Sequence, residues 1–270
     1  MARIAQLSDL HFGVENGPAI EAALAGLCIA PPDLVVIAGD FTVQGRPAEF
    51  AAARRFLAAL PAPLLATPGN HDAPYTPVRL TLPFARYERT VGPAAGEVFI
   101  SPHLAAVAVN TARGAQLRLN WSKGAISGVQ TRQALDALAT APRGALRAVL
   151  CHHPLVEMIA GPMTGKVRGG EAAAERFAEG DVDLILSGHV HAPFALALPH
   201  GDGRTYAVGS GTLSRRERGA PPGFNLIEVE PDDIRVQAMA WTGSHYEPWR
   251  TWALARRLRA PAAALGVPGA

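Results

Sequence analysis

The apolar runs of strand length in this chain that carry a distinctive polar group carry it at their carboxyl end, and this regularity constrains the fold more than any other feature. Arg3 to Leu7 runs on to Asp9 and His11, and Asp33 to Asp40 closes on "AGD". Pro63 to Pro68 gives way to "GNHD", Leu104 to Asn110 ends on its asparagine, Arg147 to His153 ends on paired histidines, and Asp183 to His189 opens "GHVH". Between these runs, Pro18 to Leu27, Pro47 to Leu60, Ser127 to Thr140 and Glu171 to Glu179 carry helical patterns. Alternation of this kind predicts largely parallel strands with crossover helices, and in open α/β sheets the carboxyl edge is where sites form. The later runs "RTYAVGSG", "GFNLIEVE" and "IRVQAMAW" predict a change to antiparallel pairing.

A chain of 270 residues can build one large α/β domain with a full core. Its formal charge of +2 provides no broad basic face, which argues against a nucleic-acid polymer as partner. Cys28 and Cys151 have no spacing that suggests a disulfide framework or a zinc ribbon. The chain passes from Met1 straight into a strand-like run, and no segment approaches about 18 uninterrupted apolar residues. The expectation is a soluble cytoplasmic protein with no membrane association.

Six of the nine histidines lie in the strand-end segments. In extended backbone, residues i and i+2 face the same side, so Asp9 with His11 and His189 with His191 each read as a chelating pair. Neighbours face opposite sides, so Asn70 and His71, or His152 and His153, divide their roles. Two carboxylates, one amide and four imidazoles exceed the needs of one ion; two ions sharing a carboxylate account for them, with Asp40 as the shared group.

The ordered blocks "DLH" (9–11), "GD" (39–40), "GNHD" (69–72), "HH" (152–153) and "GHVH" (188–191) resemble the calcineurin-like metallophosphoesterases, and among them the bacterial class III cyclic nucleotide phosphodiesterases. The resemblance implies a four-layer αββα sandwich of two mixed sheets, with a dinuclear site at the sheet edge. It implies that Asp9, His11, Asp40 and His191 hold one metal and that Asp40, Asn70, His152 and His189 hold the other, so that "HVH" divides between the ions. The choice of His152 over His153 rests on the resemblance alone. Iron and manganese head the candidate metals, with zinc and cobalt also suited to mixed carboxylate and imidazole ligands.

The expected reaction is hydrolysis of a small phosphodiester, most of all a 3',5'-cyclic nucleotide, by metal-bound hydroxide. His71 is placed to assist the leaving group, and Asp72 to orient a neighbouring imidazole. His153, Arg46 and Asn110 are weaker candidates for substrate or supporting contacts. Arg113, Lys166, Arg168 and Trp121 read first as solvated or packing residues. A monoesterase, a nucleotide pyrophosphatase and a broad diesterase are the alternatives within the same class; a scaffold that keeps the fold without catalysis is the alternative outside it. Specificity is assigned to the segments Ala73 to Gly96 and Leu155 to Gly170.

The catalytic domain is expected to span residues 1–246, followed by a helix and tail over 247–270. "EPWRTWALARRLR", from Glu247 to Arg259, offers an apolar face at helical spacing. That face would pack on the body or form a homodimer.

Overall fold

A computed structural model describes residues 1–157, 166–257 and 259. In chain order the elements are β1 (Ala2–Leu7), α1 (Gly17–Ile29), β2 (Leu34–Ile37), α2 (Pro47–Leu57), β3 (Leu64–Ala66), α3 (Ala85–Thr90), β4 (Val98–Ile100), β5 (Leu104–Ala108), α4 (Gly128–Ala139), β6 (Leu146–Leu150), α5 (Gly170–Glu179), β7 (Leu184–Ser187), β8 (Phe194–Ala197), β9 (Tyr206–Gly209), β10 (Gly223–Val229), β11 (Asp233–Trp241) and β12 (Tyr246–Ala255). They form two six-stranded sheets, ordered β12-β11-β10-β1-β2-β3 and β4-β5-β6-β7-β9-β8. Both are mixed: β1, β2 and β3 run parallel, as do β5, β6, β7 and β9, while β4, β8, β10, β11 and β12 pair antiparallel.

Alternation along the central strands explains the layering. Leu34 and Val36 of β2 face the interior between the sheets together with Leu146, Ala148 and Leu150 of β6 and Leu184 and Leu186 of β7. Val35 and Ile37 turn to the outer side, where Ile20 and Leu27 of α1 and Phe50 and Phe56 of α2 cover them. On the second sheet, Val149 and Ile185 meet Leu138 of α4 and Phe177 of α5. Strands buried on both faces need continuous apolar sequence, which these runs supply. The result is a four-layer αββα sandwich.

Local signals set the helix starts. Asn16 accepts from the Ala19 amide and caps α1, whereas Ser127 and Gln130 form a reciprocal capping box on α4. Polar ties cross between the sheets: Gln6 of β1 donates to the Ser187 and Val208 carbonyls, and Asn225 donates to Gln6 and to the Gly209 carbonyl. Gln6 and Asn225 are fully buried, and these bonds hold the two sheets in one relation near the carboxyl edge.

The carboxyl-terminal segment differs from the expected helix. Residues 246–255 are the edge strand β12, pairing Val236 with Trp252 and Ile234 with Leu254. Trp252 and Leu254 turn inward while Thr251, Ala253 and Ala255 stay exposed, a period of two rather than 3.6. Aromatic and β-branched residues favour that pleated setting. The register skips Trp249 opposite Ala238 and Met239, which places Pro248 beside a bulge where a missing amide costs little. The strand thus belongs to the first sheet, and residues 258 and 260–270 lie outside the described residues. β9 pairs antiparallel to β8, as expected, and parallel to β7 on its other side.

Candidate metal centre

The candidate ligands follow the carboxyl ends of β1, β2, β3, β6 and β7, where the two sheets meet. Asp9 and His11 follow β1, Asp40 follows β2, Asn70 begins the short 3-10 turn Asn70–Asp72 after β3, His152 follows β6, and His189 and His191 follow β7. At most of these ends the backbone takes a conformation that L residues rarely adopt. Among the described residues the non-glycine positions with positive φ are Asp9, His11, Asp40, Asp181, His189 and His191, so five of the six are candidate ligands. Each costs on the order of 1–3 kcal/mol and persists only where the surroundings impose it. Close packing does so here: a Cβ on Gly69 would overlap Asp40 Oδ1, and one on Gly188 would overlap Ser8 Oγ.

The side chains converge around Asp40. Its Oδ2 lies 3.8 Å from His11 Nε2 on one side and 3.4 Å from His152 Nε2 on the other. With His11 stand Asp9 and His191, whose Nε2 is 2.9 Å from Asp9 Oδ1. With His152 stand Asn70, whose Oδ1 is 3.3 Å from His152 Nε2, and His189, whose Nδ1 is 3.2 Å from the same nitrogen. "DLH" therefore brings its two ends to one place as expected, but through left-handed corners and not extended backbone. "HVH" divides, one ring to each group.

Three of these rings are held in one tautomer. His11 Nδ1 donates to the Thr42 carbonyl at 3.2 Å, His152 Nδ1 to Ala38 at 2.6 Å, and His191 Nδ1 to Arg216 at 2.5 Å. Each Nε2 is then directed inward, the arrangement that metal-binding histidines use once that nitrogen carries no proton. Asp9 Oδ1 is wholly buried and accepts no hydrogen bond among the described residues; the His191 approach lacks hydrogen-bond geometry. A buried carboxylate oxygen without a donor is costly, and a cation is the group that satisfies it. The mixture of carboxylate, amide and imidazole donors fits two transition ions.

Burial and mutual charge set the protonation of this cluster. For Asp9 and Asp40 burial alone would raise the carboxyl pKa, but the charges of His191 and His152 respectively outweigh it and hold both below the ordinary range. Burial drives His11 down to about 4 and His189 to about 3. His152 is also buried, yet the Asp40 carboxylate raises it to about 9.

The remaining candidates are placed differently from one another. His71 is half-buried: its amide donates to Asp40 Oδ1 at 2.8 Å, and its Nδ1 donates to the Val43 carbonyl at 2.8 Å. Among the described residues no imidazole bonds to Asp72, which was expected to orient one. The 3-10 turn directs its carboxylate back to the Thr42 and Gly69 amides, both at 2.9 Å, and to the Thr42 hydroxyl, joining the loops after β2 and β3. Burial and the nearby Asp40 push its carboxyl up to about 7.

His153 has both nitrogens engaged, Nδ1 by the Thr111 hydroxyl at 2.9 Å and Nε2 by the Ser122 carbonyl at 2.8 Å. Its ring braces His152 and His189, with centroids 4.6 Å away in each case. Asn110 caps its own turn through the Ala112 amide and lines a cleft of about 760 Å3 with Thr67, Tyr87 and Gln130, a cleft that none of the candidate ligands lines. Arg46 is exposed at the start of α2, and no described contact joins its guanidinium to the cluster. Arg113 bonds Gln130 and the Asn110 carbonyl, and Trp121 stacks with Arg79. Lys166 and Arg168 are exposed, and of the expected specificity segment 155–170, residues 158–165 lie outside the described residues.

Arg216 and Arg218 are the residues that sequence reasoning missed. They sit in "SRRERG", on the loop that leaves β9 at the same carboxyl edge. Arg216 Nη1 lies 3.0 Å from His71 Nε2, and Arg218 Nη1 lies 3.3 Å from the His189 carbonyl. Position after a strand end was the signal available for them, as for the ligands.

Residues 2–193 match the calcineurin-like phosphoesterase family. A probable cyclic nucleotide phosphodiesterase of Synechococcus sp. is 26% identical over 256 residues, covering 88% of this chain and 91% of that protein. The glycerophosphodiester phosphodiesterase GpdQ of Enterobacter lignolyticus is 42% identical over 81 residues, 26% of this chain and 29% of that one. Among solved structures, a dimetal phosphatase from Danio rerio superposes with a TM-score of 0.67 at 12% identity, over 94% of this chain and 98% of the other. No helix among the described residues is long and apolar enough to cross a membrane.

Proposed function

Because the chain belongs to the calcineurin-like phosphoesterase family, a family of metal-dependent phosphoester hydrolases, we propose that it is a dinuclear phosphodiesterase whose substrate is a 3',5'-cyclic nucleotide. The observation that carries the dinuclear reading is Asp40 Oδ2, set between His11 and His152 and so between two groups of donors. Asp9, His11, Asp40 and His191 would hold one ion, and Asp40, Asn70, His152 and His189 the other. When bound, two such ions neutralise phosphoryl oxygens and lower the pKa of water toward neutrality. The cyclic nucleotide substrate is supported by the Synechococcus relative, which aligns along most of both chains.

The chain's own groups supply the rest. Carbonyls of Thr42, Ala38 and Arg216 fix the rings of His11, His152 and His191, so the centre is formed before substrate arrives. Asp72 and His153 brace the loops and rings around it. His71 projects beside the centre with Nδ1 committed to Val43, leaving Nε2 to assist the departing ester oxygen. Arg216 donates to that nitrogen in the structure, so Nε2 can carry a proton only when the guanidinium turns to another acceptor.

A substrate panel on metal-reconstituted protein tests the reading, comparing cyclic AMP, a glycerophosphodiester, a nucleoside diphosphate conjugate and a phosphomonoester. The highest kcat/KM is expected for cyclic AMP. Preference for the glycerophosphodiester would replace the substrate and keep the chemistry. Failure to hydrolyse any phosphoester with metals loaded would overturn catalysis and leave the scaffold reading.

A further inference from the structure

The loop that follows β9 is tightly anchored. Thr212 Oγ1 donates to the Asp9 carbonyl at 2.7 Å, the Arg215 amide donates to Val14 at 3.0 Å, the Arg216 amide donates to Ser214 Oγ at 3.2 Å, and the Arg216 carbonyl receives the His191 ring. From this base the Arg216 side chain, half-buried, reaches over the candidate centre. Among the described residues the acceptors at its guanidinium are imidazole nitrogens: His71 Nε2 at 3.0 Å and His11 Nε2 at 3.4 Å. None of the described ion pairs gives it a carboxylate, whereas the well-buried Arg257 and Arg259 both pair with aspartates.

That contrast needs a reason. A guanidinium is a planar fork of donors suited to an oxyanion, and neutral ring nitrogens use it poorly. His71 Nδ1 already donates to Val43, so Nε2 is an acceptor that a better anionic acceptor can replace at Arg216. We infer that Arg216 is a substrate-binding residue, its guanidinium holding a non-bridging phosphoryl oxygen of the bound ester beside His71. The inference rests on the phosphoester-hydrolase reading and adds a contact to it. In leaving His71 for the phosphoryl oxygen, Arg216 also frees the nitrogen that faces the leaving group.

The test uses metal-loaded full-length protein, with metal content measured for each variant and inorganic phosphate as the probe. Arg216→Ala keeps the backbone carbonyl that holds His191, so both ions should remain. Its phosphate dissociation constant should rise about 10- to 100-fold, the worth of a charged hydrogen bond, with a matching rise in KM for bis(p-nitrophenyl) phosphate. Arg216→Lys should recover part of the affinity, and Arg215→Ala, exposed one residue away, should bind phosphate as the wild type does. Unchanged phosphate affinity in Arg216→Ala would overturn the inference. So would loss of metal from it, since the side chain would then be supporting the centre and not the ligand. If the wild type hydrolyses no phosphoester yet binds phosphate through Arg216, the functional reading fails and the contact stands; hydrolysis with phosphate binding indifferent to Arg216 fails the contact alone.

Discussion

Strand β7 carries buried polar groups at both ends and treats them in opposite ways. Just before it, Asp183 is fully buried and surrounded by donors: the Arg147 amide at 2.8 Å, Arg259 Nη2 at 3.0 Å and Arg257 Nη1 at 3.3 Å. Arg257 also grips Asp202 with two nitrogens, at 2.9 and 2.6 Å. Just after it, His189 and His191 enter a cluster in which ring nitrogens face one another, Asp9 Oδ1 has no donor among the described residues, and the backbone is left-handed. At one end a buried carboxylate is paired within the chain and binds β12 to the second sheet; at the other a buried carboxylate oxygen has no donor among the described residues. A buried carboxylate oxygen left without a donor beside strained backbone marks function, whereas a buried carboxylate paired by two arginines marks structure.

Breaking the ligand end should have the largest effect. Asp40→Ala removes the group common to both halves, so elemental analysis should fall from about two ions per chain toward none, with kcat/KM lower on the order of 10³-fold or more. Loss of one ion alone would refute the shared carboxylate, and a fully loaded wild type holding one ion would refute the dinuclear centre.

His71→Ala comes next. It should keep both ions yet lose about 10²- to 10⁴-fold in turnover on cyclic AMP, which must expel a ribose alkoxide. A p-nitrophenyl diester leaves as a stabilised phenolate and should suffer less. Equal losses on the two substrates, at equal metal content, would assign His71 to holding the phosphoryl group.

At the structural end the expected order is reversed. Asp183→Ala leaves two arginines facing an uncompensated site and should cost about 3 kcal/mol in urea unfolding, while kcat/KM of the folded enzyme stays unchanged. A fall in activity without a fall in stability would erase the distinction between the two ends of β7. The smallest effect belongs to Leu254→Ala, at the inner face of β12. It should cost about 2 kcal/mol, the low end for a buried leucine, and leave metal content alone. No change in stability would mean that the strand contributes little to the first sheet.

Much of the site was legible because its signal is local. A polar residue that closes an apolar run must sit at a strand's carboxyl end, so Asp9, Asp40, Asn70, His152 and His189 announced one edge before any packing was known. The central strands and four helices were legible for the same reason, their periodicities being set by neighbours in sequence. The end of the chain was not. Tyr246–Ala255 contains Ala, Leu and Arg that suit a helix, and only the open edge of β11 selects the extended form. Asp72 could not be separated from an imidazole-orienting role, because its true partners, the amides of Thr42 and Gly69, come together through the joining of two loops.

The order of residues thus settled which chemistry is present and on which edge it gathers, through alternation and strand ends that involve a few neighbouring positions. Tertiary structure decided how those groups are used: which half of "HVH" joins which donors, that His153 is consumed by Thr111 and Ser122, and that Arg216 crosses to His71 from a position 145 residues away. The physical reason is distance in the chain. Local backbone geometry fixes the face a residue presents, but what meets that face is set by the packing of two sheets and the left-handed corners they enforce.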